Sequence, residues 1–594
     1  MADKYLLTKD FRGYAARGDI TSLGDGYLVS GSQNVLIRDD GTVGAREGFT
    51  LYGATNAALT PITASYEWTT HRGNEIPIRA YQAELEFYFS GAWRRLENGW
   101  GTSTSFQFTE YWDTTEVQDL LLFVNGSSNV YSWSGGITTF ASATGNTITK
   151  EGTTTWGEEG FLTAGTRRVI IGGTAHTYTG GEGTTTLTGV TPDPTLGGYA
   201  AGDVIHQQIR TTANSAISGL PSTLADSLIA TLNNQVYYGS LVNRLVYVSK
   251  QNNFADVTFA TPRVAGEGAV FTLDGTPTGF AAHEDAMYIS VGTDFWYQTI
   301  FQASSDLTKE SLGIKRLNTA PNDAAQAQEL ITKIKNDIIY VSNEPAFNSL
   351  GRVRNVETPQ TTSLSDIIKN DFSGYDFTNG HVKFHRDRIY IAAPVENLVL
   401  IYNIVKKYWE APQIIPVRRL AIIDGDIYGH SSMVPETYKL FDGTNDNNFS
   451  FLARAVFSYQ SFGDRVNLKN FDEIFTEGYI TSNTDITMKV NYDFMGSEQI
   501  LETVIFGNDE DIIFGQGVSS GIGDDSLGDL PLGGEAGDES EQPPKFRHIA
   551  CFPKTNIYEV QISYETDAID QVWRLLTFGA NVRLAGARQV SIKK

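Results

Sequence analysis

Apolar and polar positions alternate in short runs along most of this chain, and one phrase recurs: one or two polar residues, an apolar residue, a tyrosine, then another small or apolar residue. It reads Asn234-Gln235-Val236-Tyr237-Tyr238, Asp285-Ala286-Met287-Tyr288-Ile289, Asp337-Ile338-Ile339-Tyr340-Val341, Asp387-Arg388-Ile389-Tyr390-Ile391 and Gly425-Asp426-Ile427-Tyr428-Gly429. Successive tyrosines lie 51, 52, 50 and 38 residues apart. A period of about 40 to 50 residues built of short strands predicts a β-propeller with one four-stranded blade per repeat. Alternate strand positions face opposite sides, so Val236, Met287, Ile339 and Ile389 are expected to enter the blade interface on a common side.

A second strand follows several of these phrases, at residues 243–248, 397–403 and 437–441, and each pair reads as a hairpin of adjacent blade strands. Earlier copies are expected at 119–124 with 129–133, and at 84–89 with 93–96. The 114 residues from Phe123 to Tyr237 exceed one blade. A Thr- and Gly-rich stretch at 141–205 is therefore read as an inserted small β-domain, projecting to one face. The expected fold is all-β: a propeller of about 6 to 8 blades over 61–445, preceded by an N-terminal strand and loop segment (1–60) that joins it.

From about residue 446 the spacing changes. Alternating strands at 451–459, 471–481, 484–493, 558–564 and 573–584 predict a C-terminal β-sandwich over 446–594. Between its halves, 507–544 carries nine glycines, ten carboxylates and no Lys or Arg. Such a composition buries too little apolar area to offset ordering entropy. The loop is expected to serve as a gate or docking arm through Asp509, Glu510, Asp511, Asp524, Asp525, Asp529, Glu535, Asp538, Glu539 and Glu541. Helices are sparse. The best pattern is 322–334, where Asp323 would cap a run with Ala327, Leu330, Ile331 and Ile334 on one face, and a short one is read at 365–369.

The 58 glycines, 28 tyrosines and 32 phenylalanines, with charged residues at 19%, agree with a strand scaffold. The single cysteine, Cys551, excludes an internal disulfide and a cysteine-based zinc site. No basic segment followed by an apolar stretch opens the chain, and no apolar run of about 18 residues occurs, so neither a signal peptide nor stable membrane insertion is expected. A net charge of −24 argues against clamping of nucleic acid through phosphate neutralisation. It suits a wall that DNA must pass without sticking.

Enzyme motifs are mostly absent: no phosphate-binding Gly-rich loop with Lys and no His-Glu-x-x-His. His381 and His385 read as one strand, where four residues span about 13 Å, too far to share a metal ion. Asp285, Asp337, Asp387 and Asp426 stand near one strand start and would ring a face as glycosidase carboxylates do, but aspartate before a strand is ordinary turn chemistry. Arg17-Gly18-Asp19 is read as a chance tripeptide, and Gly521-Ile522-Gly523-Asp524-Asp525 as a solvated loop rather than a calcium site. Trp296, Trp409 and Trp573 are assigned to cores. No catalytic, cofactor-binding or metal residue is assigned.

The opening Ser32-Gln33-Asn34-Val35-Leu36-Ile37, followed by Gly41-Thr42-Val43-Gly44-Ala45-Arg46-Glu47-Gly48-Phe49, resembles the start of bacteriophage tail nozzle (tail tubular) proteins, in which an Asn precedes a Gly-rich turn and an Arg-x-Gly step. Lys469-Asn470-Phe471, Val490-Asn491-Tyr492-Asp493 and Trp573-Arg574-Leu575-Leu576-Thr577-Phe578-Gly579 are similar to the ends of phage virion structural proteins. These matches cover about a hundred residues. The resemblance implies a non-enzymatic virion protein of the tail, made in the host bacterial cytoplasm. It implies a ring, commonly hexameric, forming the distal channel for genome ejection, in contact with adaptor and fibre proteins and with double-stranded DNA in transit. The chain is shorter than the nozzles of the best-known short-tailed phages. The alternative function is that of a monomeric propeller that binds or hydrolyses cell-surface glycans.

Overall fold

The structure is a computed structural model and describes residues 4–8, 10–16, 23–54, 60–100, 105–115, 117–165, 167–225, 227–259, 266–284, 286–292, 294–299, 314–317, 324–335, 337–350, 362–461, 467–481, 484–492, 501–505 and 545–584. Among these residues the repeats form seven antiparallel sheets of a β-propeller, and Tyr237, Tyr288, Tyr340, Tyr390 and Tyr428 all lie on the second strand of a blade. The first strands are Ile62–Thr69, Gln107–Asp113, Leu228–Leu232, Pro277–His283, Ile331–Ile334, His381–His385 and Val417–Ile423 for blades 1 to 7. They stand side by side around the axis, blade 7 returning against blade 1.

Longer turns join first to second strands in blades 1 and 2, and two-residue turns do so in blades 3 to 7. In blades 3 and 7 these are Asn233-Asn234 and Asp424-Gly425, with φ of 49° and 58°, and 50° and 78°. Both central residues in the left-handed region match the twist of the flanking strands, which is why Asn and Gly occupy them. In blades 3, 4, 6 and 7 the repeat tyrosine is the third residue after the turn and faces the following blade, while the residue before it faces the preceding one. Blade 5 departs from the expected common side. Its second strand opens at Asp337, so Tyr340 comes fourth. A slip of one residue turns every side chain over. Ile339 therefore faces blade 6, and Tyr340 packs back on Phe295 of blade 4 with ring centroids 4.8 Å apart.

Three further expectations need correction. Residues 84–89 and 93–96 belong to the third and fourth strands of blade 1, whose second strand is Glu75–Tyr81. The helix read at 322–334 is not formed: residues 322–323 lie outside the described set, Gln328–Leu330 is one 3-10 turn, and Ile331–Ile334 is the inner strand of blade 5. Its pairing with Asp337–Val341 overrides the weak helical periodicity. Finally, residues 1–60 do not simply join the propeller. Tyr14–Ala15 and Leu28–Val29 extend the sheet of blade 6, and Phe49–Leu51 supplies the outer strand of blade 7 by pairing with Thr437–Leu440. Lys4–Thr8, Val35–Ile37 and Val43–Ala45 instead enter the C-terminal sandwich. The short turn at 365–369 is a 3-10 turn, Asp366–Ile368, running into a helical turn, Lys369–Phe372.

The insertion leaves blade 2 after Asn129–Trp133 and returns at Arg210–Ala213, with strands from Ile137–Thr144 to Val204–Gln207 around Trp156, Phe161, Tyr178 and Ile205. Links between third and fourth strands open on the same face as the two-residue turns. The inserted domain stands on that face, with Gly160 against Arg72 of the first hairpin turn of blade 1.

The sandwich packs one sheet, with Val35–Ile37, Val43–Ala45, Trp573–Leu584, Lys469–Ile480 and Lys545–Ile557 in spatial order, on a second made of Ala453–Val456, Val560–Thr566, Ile486–Tyr492 and Leu501–Ile505. Phe471, Met488, Tyr564, Trp573 and Phe578 fill the space between them. Replacing Phe49, buried on Tyr438 at 4.8 Å, tests the N-terminal closure of blade 7. Phe49→Ala is expected to lower stability by about 3 to 5 kcal/mol in urea unfolding. An unshifted midpoint would mean that this strand does not close the ring.

Candidate functional site

Two places concentrate buried polar groups. The first joins propeller to sandwich and is built from the Asn and Arg of the opening motif. Asn34 sits in the left-handed region at φ 54°. Its amide nitrogen donates to the Leu452 carbonyl at 2.8 Å, and its Oδ1 accepts from Arg46 Nε at 3.1 Å and from the Ile414 N–H at 2.7 Å. Arg46 is 1% exposed and uses every donor it has. Nη1 and Nη2 meet the two oxygens of Asp446 at 2.6 Å each, and also the carbonyls of Glu47 at 3.0 Å and Ile414 at 3.2 Å. The guanidinium lies over the Phe451 ring at 4.0 Å. One side chain thus ties the N-terminal turn, the outer edge of blade 6 and the link into the sandwich.

Beside it, Glu410 follows the fourth strand of blade 6, Tyr408–Trp409, and accepts the Ile37 N–H at 2.8 Å. Its carboxyl is fully buried, with Arg388 at 3.9 Å. Burial pushes its pKa up to about 7, against the opposing pull of the Ile37 N–H, Arg388, Tyr408 and Lys406.

The second place is the propeller axis. The first strands of all seven blades enclose a cavity of about 410 Å³. Its floor lies at the start of these strands, away from the turn face. There buried Arg419 of blade 7 donates from Nε to the Thr63 carbonyl at 3.0 Å, and from Nη1 to the carbonyls of Asn379 at 3.0 Å and Gly380 at 2.8 Å. Its Nη2 pairs with Glu329 at 3.2 Å, and Glu329 takes Gln107 Nε2 from the opposite side at 2.8 Å. Nearer the turn face, Lys383 of blade 6 pairs with Glu67 of blade 1, and the Tyr66 hydroxyl donates to Glu110 of blade 2 at 3.2 Å. Burial, reinforced by the Arg419 and Lys383 charges, holds His381 well below the usual imidazole range. It is neutral and accepts the Leu420 N–H on Nδ1 at 2.9 Å. The axis is cross-tied by side chains and is a cup rather than a pore.

The ten carboxylates proposed for the gate or docking loop, from Asp509 to Glu541, lie outside the described residues, as do Arg17-Gly18-Asp19, Gly521-Ile522-Gly523-Asp524-Asp525 and Asp285. Asp337 accepts the Ile338 N–H at 2.7 Å and the Ser349 hydroxyl, and Asp426 pairs with Lys439 at 2.8 Å. These two carboxylates serve turns and cross-strand contacts. His381 and His385 share one strand, and Trp409 and Trp573 are core side chains. Among the described residues no group of three or more His, Cys, Asp or Glu side chains converges to hold a metal, and no helix is long and apolar enough to cross a membrane. The axial charges were missed in the sequence. The available signal was a charged residue inside an apolar strand, as with Arg419 between Val417 and Leu420.

No protein-family model and no curated protein matches the chain. Solved structures it is similar to include the CNH domain of AfRom2, at TM-score 0.35 and 8% identity over 67% of this chain and 100% of that one. BBS1N, solved in complex with ARL6DN, gives 0.34 and 9% over 68% and 100%. PorZ, a surface component of the type-IX secretion system of Porphyromonas gingivalis, gives 0.33 and 11% over 68% and 42%. The propeller is defined by its own seven closed sheets rather than by these likenesses.

Two substitutions test the junction. Arg46→Met leaves Asp446 enclosed without its partner and is expected to cost about 3 to 5 kcal/mol, read as a lowered urea midpoint. Arg46→Lys, which lacks the planar fork, is expected to recover only part of it. For Glu410, a pKa of about 7 in the folded state against 4.5 unfolded means that its contribution is most favourable below pH 4.5 and is lost as pH rises through 7. The loss amounts to about 3 kcal/mol. Glu410→Gln is therefore expected to stabilise the protein at pH 8 more than at pH 5. Parallel stability profiles for the two proteins would show that the carboxyl is not held protonated.

Proposed function

We propose that this chain is a structural protein of a bacteriophage tail, working without catalysis as a nozzle-like ring of identical copies, six by the family resemblance, that forms the distal channel for genome ejection. The observation that carries the reading is where the resembling segments meet. Val35–Ile37, Val43–Ala45, Lys469–Ile480 and Trp573–Leu584 come from opposite ends of the chain and lie in one sheet, residues 490–492 lie in the facing sheet, and the motif's Asn34 and Arg46 form the buried junction beside them. Segments that share one structural task are expected to be retained together, which supports a common architecture rather than scattered coincidence.

The axial geometry sharpens the proposal. With Arg419, Glu329, Lys383 and Glu67 tied across it, the propeller's own axis cannot pass a duplex. The conduit in this reading is the central hole between copies, and part of the net charge of −24 lines it and repels phosphates. Adaptor and fibre proteins would dock on the outer surfaces, and the protein would reside in the virion tail.

The test is the mass of the purified chain by light scattering, with negative-stain images of the same sample. A closed ring with a lumen wider than a DNA duplex is the expected result. A monomer at all concentrations that binds or cleaves surface glycans would replace this reading with the glycan one.

A further inference from the structure

The axial cup has features that neither a core nor a ring subunit requires. It closes at the Arg419 floor and opens toward the face that carries the hairpin turns and the inserted domain. Its volume of about 410 Å³ falls within the range of small-molecule sites. Two of its three cations are committed, Lys383 to Glu67 and Arg419 to Glu329. The third, Lys333 on the inner strand of blade 5, lines the same space and makes no hydrogen bond or ion pair among the described residues. Glu110 feels its charge without reaching it.

Unused acceptors accompany the unused cation. Glu67 Oε1 and Ser65 Oγ are buried without a hydrogen-bond partner among the described residues, a state that costs free energy until a donor arrives. On the same wall, Tyr66 and Phe108 stack with centroids 5.5 Å apart and present half-buried ring surface to the cavity.

We propose that this cup binds a carboxylate-bearing monosaccharide unit of the uronic acid type. The carboxylate would sit against the Lys333 ammonium, ring hydroxyls would donate to Glu67 Oε1 and Ser65, and the apolar face of the sugar would lie on the Tyr66–Phe108 pair. A neutral sugar leaves Lys333 without a contacting anion, and a bare anion leaves the acceptors and ring surface unused. In a protein of net charge −24 a solvent-reachable ammonium at the cup with no contacting anion is the element that selects for an acid. The inference goes beyond the ring proposal and does not rest on it.

Calorimetric titration of the full chain with glucuronate, galacturonate, glucose and inorganic phosphate tests it. A uronate is expected to bind more tightly than about 10 mM, with glucose at least tenfold weaker. Lys333 lies on the cavity surface, so Lys333→Gln is expected to fold normally and to lose at least tenfold in uronate affinity, while Lys333→Arg retains most of it. Three outcomes would overturn the proposal: no uronate binding, equal binding by phosphate, or a uronate affinity unchanged in Lys333→Gln. Ring assembly is read separately by light scattering, so failure of either idea leaves the other standing.

Discussion

The guanidinium of Arg46 is the contact on which the architecture turns. Five N–H groups in a rigid fork need five acceptors, and here they come from Asn34, Glu47, Ile414 and both oxygens of Asp446. Three of these five acceptors, the Ile414 carbonyl and both Asp446 oxygens, are in place only when the opening turn, the edge of blade 6 and the link to the sandwich are together. A charge buried with its acceptors incomplete is expensive, so the junction is all or nothing. That makes the two ends of the chain conditional on the propeller between them.

The same dependence appears in the strand order. Blade 7 is completed by Phe49–Leu51, and the sandwich sheet by Lys4–Thr8, Val35–Ile37 and Val43–Ala45. The first fifty residues thus staple the circular domain shut and dock the last domain onto it. Such closure joins contacts separated by hundreds of residues. Loop-closure entropy grows slowly with length, so even these distant pairings are affordable once formed.

Inside the propeller, polar cross-ties replace an apolar plug. Arg419 and Glu329 at the floor, and Lys383 and Glu67 above, satisfy one another across the axis, whereas Lys333, Ser65 and one oxygen of Glu67 do not. The contrast between a saturated floor and an unsaturated mouth gives the axis a direction, with its open end on the face bearing the inserted domain. In the proposed ring the propeller axis and the genome channel would be separate spaces, which leaves the cup available for a small ligand.

Much of this fold was legible in the chain itself. The tyrosine period marks second strands because a residue flanked by apolar neighbours at strand spacing must lie between blades, and the change of spacing near residue 446 marks the sandwich. Patterning failed where two periods compete. Ala327, Leu330, Ile331 and Ile334 mimic a helical face, yet a four-residue strand pairing with its hairpin partner decides the conformation. The one-residue slip of Tyr340 was equally hidden, since it depends on where the turn falls rather than on the phrase. Local pattern carries which segments alternate, where turns interrupt them, and how many blades there is length for. Which side of the axis Arg419, Lys383 and Lys333 face, what they meet there, and where the first fifty residues go were decided only by tertiary structure. These outcomes follow from the meeting of groups distant in sequence, and no local propensity encodes a partner that only closure of the ring brings within hydrogen-bond distance.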